Sequence, residues 1–540
     1  MKPIGLLNDF LTRALLATAV VPALFAQSPL SASLQVDSSK VIRPIPATLF
    51  GSNVEWIWNE NGLWNGTTNS VDSRYVPLVK SLAPPLLRFP GGLFADYYDW
   101  HNGVGPQASR PVKQSMPGGT LSTNTFGTDE AEALAKTAGG HLLITVNVGT
   151  GTAQMAADWV KYVNKTSAGP RADYWELGNE LYMPASQVGS VGVATLTASQ
   201  YAARFIEFAT AMKAVDPSIK VGAILDESFT RAPASPWTVQ VLSQAGSYVD
   251  FVTVHNAYAP VLWNGGTQDV RTVYHAMLAV PSMLLSDLNQ LAASIDALVP
   301  ARKGQIPIAV TEWGPFYSSD LSSPYLDHVK TLGSSLYTAS ALMAFINSPR
   351  TTVANFFKLN DALYMGSIGN NSAGAPQVTA SYYALQLLMR TQGTNLVRST
   401  LSAPGYTSPA SGIVPSTSGV SYLDAIATQS SDRKLMRIVA VNKNFDSAIN
   451  LQVNLGSLRP SGSAAVMTLS GTAIDANTGT QLPVVPGIAW AQPALATPVS
   501  RFAFGSPQEV RISTSTLSPT PVFTYSVPAA SVVVIEIPTF

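Results

Sequence analysis

Trp175-Glu176-Leu177-Gly178-Asn179-Glu180 reads as a short apolar strand ending in an amide and a carboxylate, and the fold turns on the company that strand keeps. A carboxylate at the end of a buried strand is costly unless it finds partners. Outward from it, apolar runs at 48–54, 86–89, 142–148, 174–178, 220–225, 251–254, 306–311 and 353–359 alternate with amphipathic segments. In one of these segments, 199–215, Ala202, Phe205, Phe208, Ala209 and Met212 recur at spacings of three and four, the period of a helix with one buried face. Eight buried strands alternating with helices predict an α/β fold, a (β/α)8 TIM barrel over 48–392. An open doubly wound sheet is the alternative, but no glycine-rich phosphate loop follows the first strand.

On either side of the barrel the rhythm changes. Residues 34–37 alternate like a half-buried strand until Pro44 and Pro46 break it. A helix at 380–391 closes the barrel, and the Pro/Ser/Gly-rich stretch 402–419 reads as a loop. The runs 422–428, 435–441, 449–455, 465–469 and 531–537 are then strand-like with no helices between them, which predicts a β-sandwich. The sandwich is assigned to 393–540 together with 30–47, because the N-terminal strand has no other sheet to join.

Composition narrows the function. A chain of 540 residues suggests one large and one smaller domain, and 46% hydrophobic residues supply the core. Charged residues are only 12%, and 32 basic against 32 acidic cancel, which argues against a nucleic-acid partner. The absence of cysteine excludes disulfides, thiolate metal sites and cysteine nucleophiles. The five histidines are scattered, with no pair at helical spacing, so a dedicated metal site is not expected. Lys2, Arg13, the apolar run 14–21 and the small residues Ala23 and Ala26 read as a signal peptide over 1–26. That predicts a secreted or periplasmic protein with no membrane association once the signal is removed.

In a (β/α)8 barrel the active site lies at the C-terminal ends of the strands. Applied to the eight runs, that rule selects Glu55, Arg88, Asn147, Asn179 with Glu180, Asp226, His255, Glu312 and Lys358. Glu180 and Glu312 end strands four and seven, on opposite sides of the mouth. Two facing carboxyl groups are what glycoside hydrolysis needs, one to protonate the leaving oxygen and one to attack the anomeric carbon. Lys358 and Asp226 read as supporting residues, and Thr128-Asp129-Glu130 as a helix start in which Thr128 can cap.

The stretch Arg88-Phe89-Pro90-Gly91-Gly92-Leu93-Phe94-Ala95-Asp96-Tyr97-Tyr98-Asp99-Trp100, with Gly103-Val104-Gly105-Pro106 and Arg110-Pro111, resembles the α-L-arabinofuranosidases of glycoside hydrolase family 51. So do Phe126-Gly127-Thr128-Asp129-Glu130, Val146-Asn147-Val148-Gly149-Thr150-Gly151-Thr152-Ala153 and Gly178-Asn179-Glu180. The likeness is densest over 50–180 and continues weakly to Trp313. It implies a retaining enzyme with Glu180 as acid/base and Glu312 as nucleophile, acting on plant polysaccharide or oligosaccharides without a cofactor. It further implies that Asn179 binds the sugar 2-hydroxyl, that Glu55 holds the arabinose hydroxyls, and that Arg88 keeps Glu312 ionised. Tyr258 is expected on the nucleophile and His255 on the substrate. Asn147 is a further substrate contact, and Trp100, Trp263 and Trp313 are candidates for stacking on sugar faces.

Two segments depart from the family pattern. Thr311-Glu312-Trp313-Gly314 stands where members often have Asp before the Glu and Asn after the Trp, and His255-Asn256-Ala257-Tyr258 spaces its His and Tyr more widely than usual. The departures bear on the leaving-group side and the sugar rather than the reaction type. The competing readings are another glycosidase of the same clan (an endoglucanase, xylosidase or glucuronidase) and a non-catalytic carbohydrate-binding protein. Because members are often oligomers, a homo-oligomer is possible.

Overall fold

The computed structural model describes residues 30–114, 121–184, 192–260, 269–318, 325–361, 365–370, 375–477 and 509–540. All eight predicted runs are strands: β1 (Gly51–Asn53), β2 (Leu86–Phe89), β3 (His141–Val146), β4 (Tyr174–Leu177), β5 (Lys220–Ile224), β6 (Phe251–Val254), β7 (Ile308–Phe316) and β8 (Thr351–Phe356). Each pairs in parallel with the next. The pairing of Asn355 in β8 with Gly51 in β1 closes the sheet into a barrel.

Around it lie α1 (Val76–Leu82), α2 (Thr128–Ala138), α3 (Ala153–Lys161), α4 (Ala198–Val215), α5 (Pro236–Ala245), α6 (Val280–Leu298), α7 (Leu332–Asn347) and α8 (Ala380–Leu388). The helix predicted at 199–215 is α4, which starts on a reciprocal cap between Thr197 and Gln200 and buries the predicted apolar face. At α2 the reading of Thr128 as a cap is corrected. Gly127 is the N-cap, Glu130 accepts its backbone N–H, and the Thr128 hydroxyl accepts from the Trp159 indole at 3.1 Å.

The barrel interior is layered. Leu86, Leu143, Phe251, Ala309 and Val353 form a small apolar plug with Tyr174 against it. Gly222 makes room for that plug, because a Cβ there would come within 2.3 Å of the Phe251 ring. Two residues further along the same strands, and so on the same inward face, stand Arg88, Thr145, Glu176, Thr253, Thr311 and Asn355, all buried. Barrel interiors are usually filled by branched apolar side chains. A polar layer survives there only if its groups satisfy one another.

On β7 the register to β8 shifts between Val310 and Trp313. Thr311 and Glu312 consequently both reach inward, while Trp313 turns out between Phe345 and Phe356.

The second unit is the expected separate β domain, built as a single nine-stranded sheet that curls over its own core. The N-terminal strand Leu30–Pro44 is an interior strand, third from one edge, antiparallel to Asn395–Ser402 and parallel to Ile449–Asn454. The sequence reading missed Asn395–Ser402, Val510–Leu517 and Val522–Val527, and the hairpin Gly405–Ser408 with Thr417–Ser421 lies in the stretch read as loop. Strand Ser531–Pro538 joins the two cores: Val533, Ile535 and Ile537 face the sheet's interior, whereas Val532 and Val534 pack into the barrel's apolar shell. Arg43 adds a polar clamp by donating to the carbonyls of Phe345, Ile346 and Thr351. No helix among the described residues is long and apolar enough to cross a membrane. The segment 1–26, read as a signal, lies outside the described residues.

Candidate active site

Arg88, at the centre of the polar layer, is fully buried and organises the mouth. Its Nε donates to Glu176 at 2.6 Å, Nη1 to Glu312 at 2.7 Å and to Asn53 at 3.0 Å, and Nη2 to Asn179 at 2.8 Å. The planar guanidinium suits this task because it aims its donors in fixed directions. Burial alone would lower its pKa, but Glu176 and Glu312 outweigh burial and raise it.

The two glutamates singled out from the sequence meet here. One carboxylate oxygen of Glu180, one of Glu312 and a ring nitrogen of His255 all lie within 4.8 Å of one another. Glu312 accepts from Tyr258 Oη at 2.7 Å and from Arg88. Burial would push its carboxyl up, yet His255, then Arg88 and Tyr258, hold it below the ordinary carboxylate value. Glu180, at a left-handed backbone position with φ of 40°, faces His255 Nδ1 at 2.8 Å. Desolvation works against a charged His255, but the field of Glu312 and the contact with Glu180 raise its pKa overall. These three groups are near enough to hold a cation. Their facing atoms already have protein partners in His255, Tyr258 and Arg88.

Asn179 accepts from Arg88 through Oδ1, while its buried Nδ2 has no protein acceptor among the described residues and so remains a donor for a ligand. Glu55 is buried and paired with Lys358, whose ammonium also lies 4.0 Å from Asp361. Burial raises the Glu55 carboxyl against the pull of Lys358. Lys358 is thus the counter-charge of a site residue, and Asp226 forms a half-exposed pair with Arg231.

Four expectations need correction. His255 was expected on the substrate, but both its ring nitrogens engage protein, Nδ1 with Glu180 and Nε2 with the Thr311 hydroxyl at 3.1 Å. Asn147 borders a cavity of about 550 Å3 beside Trp56, Tyr98 and Asn124. Its amide, however, is spent on the protein: Nδ2 donates to Tyr98 O, from the segment after β2, and to Thr150 Oγ1, and Oδ1 accepts from the N–H groups of Thr150 and Gly151. Trp100 is packed against Trp159 and donates its indole N–H to Met155 O at 3.0 Å. Trp313 is fully buried behind β7. Neither indole offers a face to a sugar, because apolar shells around a barrel take up large aromatic rings as readily as ligand clefts do. Trp263 lies outside the described residues.

The sequence reading passed over three buried carboxyl groups. Glu176, within the hexapeptide that decided the fold, accepts from Arg88, from Thr145 at 2.9 Å and from Thr311 at 2.7 Å. Its signal was available, since a charged residue between two apolar ones in a buried strand must face the barrel interior. Asp96 accepts the backbone N–H groups of Val148, Gly149 and Asn179 and ties together the loops after β3 and β4. Burial pushes its carboxyl up to about 7 against those donors. Glu60 sits in a left-handed turn formed with Asn59 and Asn61, and burial raises it well above the ordinary value.

Comparison with known proteins bears on the family and the fold. A family model described as "Alpha-L-arabinofuranosidase 1 domain" matches residues 78–260. An intracellular exo-α-(1→5)-L-arabinofuranosidase of Halalkalibacterium halodurans is 27% identical over 469 residues, 79% of this chain and 88% of that protein. Intracellular exo-α-(1→5)-L-arabinofuranosidase 1 of Bacillus subtilis is 26% identical, covering 68% of this chain and 75% of its own length. The thermostable GH51 α-L-arabinofuranosidase of Thermotoga petrophila superposes with a TM-score of 0.75 at 25% identity, covering 94% of this chain and 100% of that one. The first two names correct the expectation of secretion: these relatives are intracellular enzymes, and an apolar N-terminal run is too common a pattern to outweigh them.

Proposed function

The chain belongs to the α-L-arabinofuranosidases of glycoside hydrolase family 51, and on that footing we propose that its barrel mouth performs a retaining double displacement with Glu180 and Glu312 as the reacting pair. The enzyme is a glycoside hydrolase acting on carbohydrate and releasing L-arabinofuranosyl groups. The observation that carries the mechanism is the closeness of the two carboxylates, with an oxygen of each within 4.8 Å of the other. Retaining pairs stand roughly 5–5.5 Å apart, whereas inverting pairs leave about 6.5–9.5 Å for a water between them.

In the first step Glu312 attacks the anomeric carbon as Glu180 protonates the leaving oxygen, giving a covalent arabinosyl-enzyme. In the second, Glu180 takes a proton from water, which displaces Glu312. The unequal surroundings support this division of roles. Glu312 is held ionised by His255 while that ring is charged and by Arg88 and Tyr258 throughout, as a nucleophile must be, whereas Glu180 faces a group that can exchange a proton. Asn179 Nδ2 is the free donor for the sugar 2-hydroxyl, and Glu55, anchored by Lys358, is the acceptor for the other hydroxyls. An exo mode on α-(1→5)-linked arabinosyl residues is the linkage we favour.

Two measurements test the reading. Glu312→Ala should abolish turnover of a nitrophenyl arabinofuranoside, with azide restoring part of it as glycosyl azide; wild-type turnover in that variant would remove Glu312 from the mechanism. Product analysis on arabinan, arabinoxylan and cellulose should show free arabinose from the first two only, and glucose or cello-oligosaccharides would overturn the substrate assignment.

A further inference from the structure

The polar layer contains a circuit of hydrogen bonds that the double displacement does not itself require. From Glu180 it runs to His255 Nδ1 at 2.8 Å, from His255 Nε2 to Thr311 Oγ1 at 3.1 Å, and from Thr311 Oγ1 to Glu176 Oε1 at 2.7 Å. It continues from Glu176 Oε2 to Arg88 Nε at 2.6 Å and from Arg88 Nη1 to Glu312 Oε1 at 2.7 Å. Acid/base and nucleophile are therefore joined beneath the sugar site through Thr311 and Glu176.

Donor counting gives the circuit a direction. A threonine hydroxyl has one proton. At Thr311 that proton is committed to Glu176, which acts as acceptor to Arg88, Thr145 and Thr311 alike. The other face of the Thr311 hydroxyl can then only accept, so His255 Nε2 must carry a hydrogen. Above its titration the His255 ring is neutral and has one N–H, and with that hydrogen on Nε2, Nδ1 is left as an acceptor opposite Glu180. Glu180 in its acid form satisfies Nδ1. Without Thr311 the neutral ring is free to place its hydrogen on Nδ1 instead, donate to the Glu180 carboxylate, and favour the form that has no proton to give.

We propose that Thr311 and Glu176 are positioning residues that fix the tautomer of His255 and thereby keep Glu180 armed as a general acid. This rests on the assignment of Glu180 as acid/base. Among the described residues, the charged and titratable groups around the ring are Glu180 after β4, Glu312 on β7 with Oε2 at 3.9 Å from Nδ1, Arg88 on β2 and Tyr258. None of these touches Nε2, whose tautomeric control falls to Thr311.

The test is Thr311→Val, which keeps the shape and every charge, with Thr311→Ser as the conservative variant. An arabino-oligosaccharide needs protonation of its leaving group, whereas dinitrophenyl arabinofuranoside does not. We expect kcat/KM of Thr311→Val to fall about 10- to 100-fold on the oligosaccharide, a share of what proton transfer contributes. On the aryl substrate the loss should stay below about threefold, the basic limb of the pH profile should move to lower pH, and Thr311→Ser should restore all three readouts. Equal losses on both substrates with an unmoved limb, or no loss, would overturn the relay. Nitrogen NMR of the unmodified enzyme gives a second measurement that needs no variant: above the titration of His255, the hydrogen must be found on Nε2, and finding it on Nδ1 would refute the proposal. Azide rescue of Glu312→Ala separates the two levels. Without rescue the reacting pair itself is misassigned; with rescue but a wild-type-like Thr311→Val, only the relay falls.

Discussion

Replacing Arg88 with methionine keeps the aliphatic stem and removes a fully buried guanidinium that serves Glu176, Glu312, Asn53 and Asn179 at 2.6 to 3.0 Å. Removing one partner of a buried ion pair costs about 3–5 kcal/mol, because the other charge is left uncompensated. Glu176 would keep its two threonine donors and Glu312 would keep Tyr258, so about 4 kcal/mol is expected at neutral pH, a large part of the 5–15 kcal/mol typical of a domain.

The same change acts on the chemistry. An adjacent arginine depresses a carboxylate by about 1–3 pKa units. His255, the larger influence holding Glu312 down, stays in place, so the acidic limb of kcat/KM should move to higher pH but by less than the whole depression. The sign of the stability effect follows from the same shift. Glu312 is depressed in the folded state, so it stabilises the fold above the ordinary carboxylate value of 4.5 and loses that contribution as pH falls through its folded pKa. The stability gap between wild type and Arg88→Met should therefore be widest at neutral pH and narrow on acidification. Arg88→Lys keeps the charge but not the fork. Its acidic limb should stay near wild type, while an orphaned Asn53 or Asn179 acceptor costs about 1–3 kcal/mol. Urea unfolding at several pH values and a pH–rate profile on nitrophenyl arabinofuranoside measure all of this. An acidic limb unmoved in Arg88→Met would refute the claim that Arg88 holds Glu312 ionised.

Three further outcomes are expected. Gly92→Ala places a Cβ 2.9 Å from Glu55 Oε1 at a backbone φ of 71°, so KM should rise more than kcat falls, with about 1–2 kcal/mol of stability lost; an unchanged KM would remove Glu55 from the sugar site. Asp96→Asn leaves one oxygen to serve three backbone donors, which should cost about 1–3 kcal/mol in denaturant unfolding and lower kcat through the β4 loop, and a neutral result would mean that the loop does not depend on that carboxyl. Trp313→Leu should cost about 2–4 kcal/mol by opening a cavity between Phe345 and Phe356 while leaving KM unchanged; a large rise in KM would revive Trp313 as a sugar contact.

Periodicity was enough to locate the eight barrel strands, because a strand buried on both faces must be apolar nearly throughout, and it placed Glu180, Glu312 and Arg88 at strand ends. The N-terminal strand was legible for a related reason, since an isolated alternating segment has to find a sheet. Strands Val510–Leu517 and Val522–Val527 were not legible: they carry Ser, Thr and Tyr on exposed faces, and their pairing partners are distant in sequence.

Within the site, the residue types at the mouth were determined by the sequence alone, but their partners were not. Parity along β7 predicts that Thr311 and Trp313 share a face. The register shift breaks that parity, sending Thr311 and Glu312 inward and Trp313 outward. His255 moved from substrate contact to partner of Glu180, and Glu176 emerged as the anchor beneath Arg88, only once β2, β4, β6 and β7 were brought side by side. Which groups line a barrel mouth follows from local pattern, because burial acts residue by residue. Which proton each of them holds is decided by distances between strands far apart in the chain, and those exist only in the closed barrel.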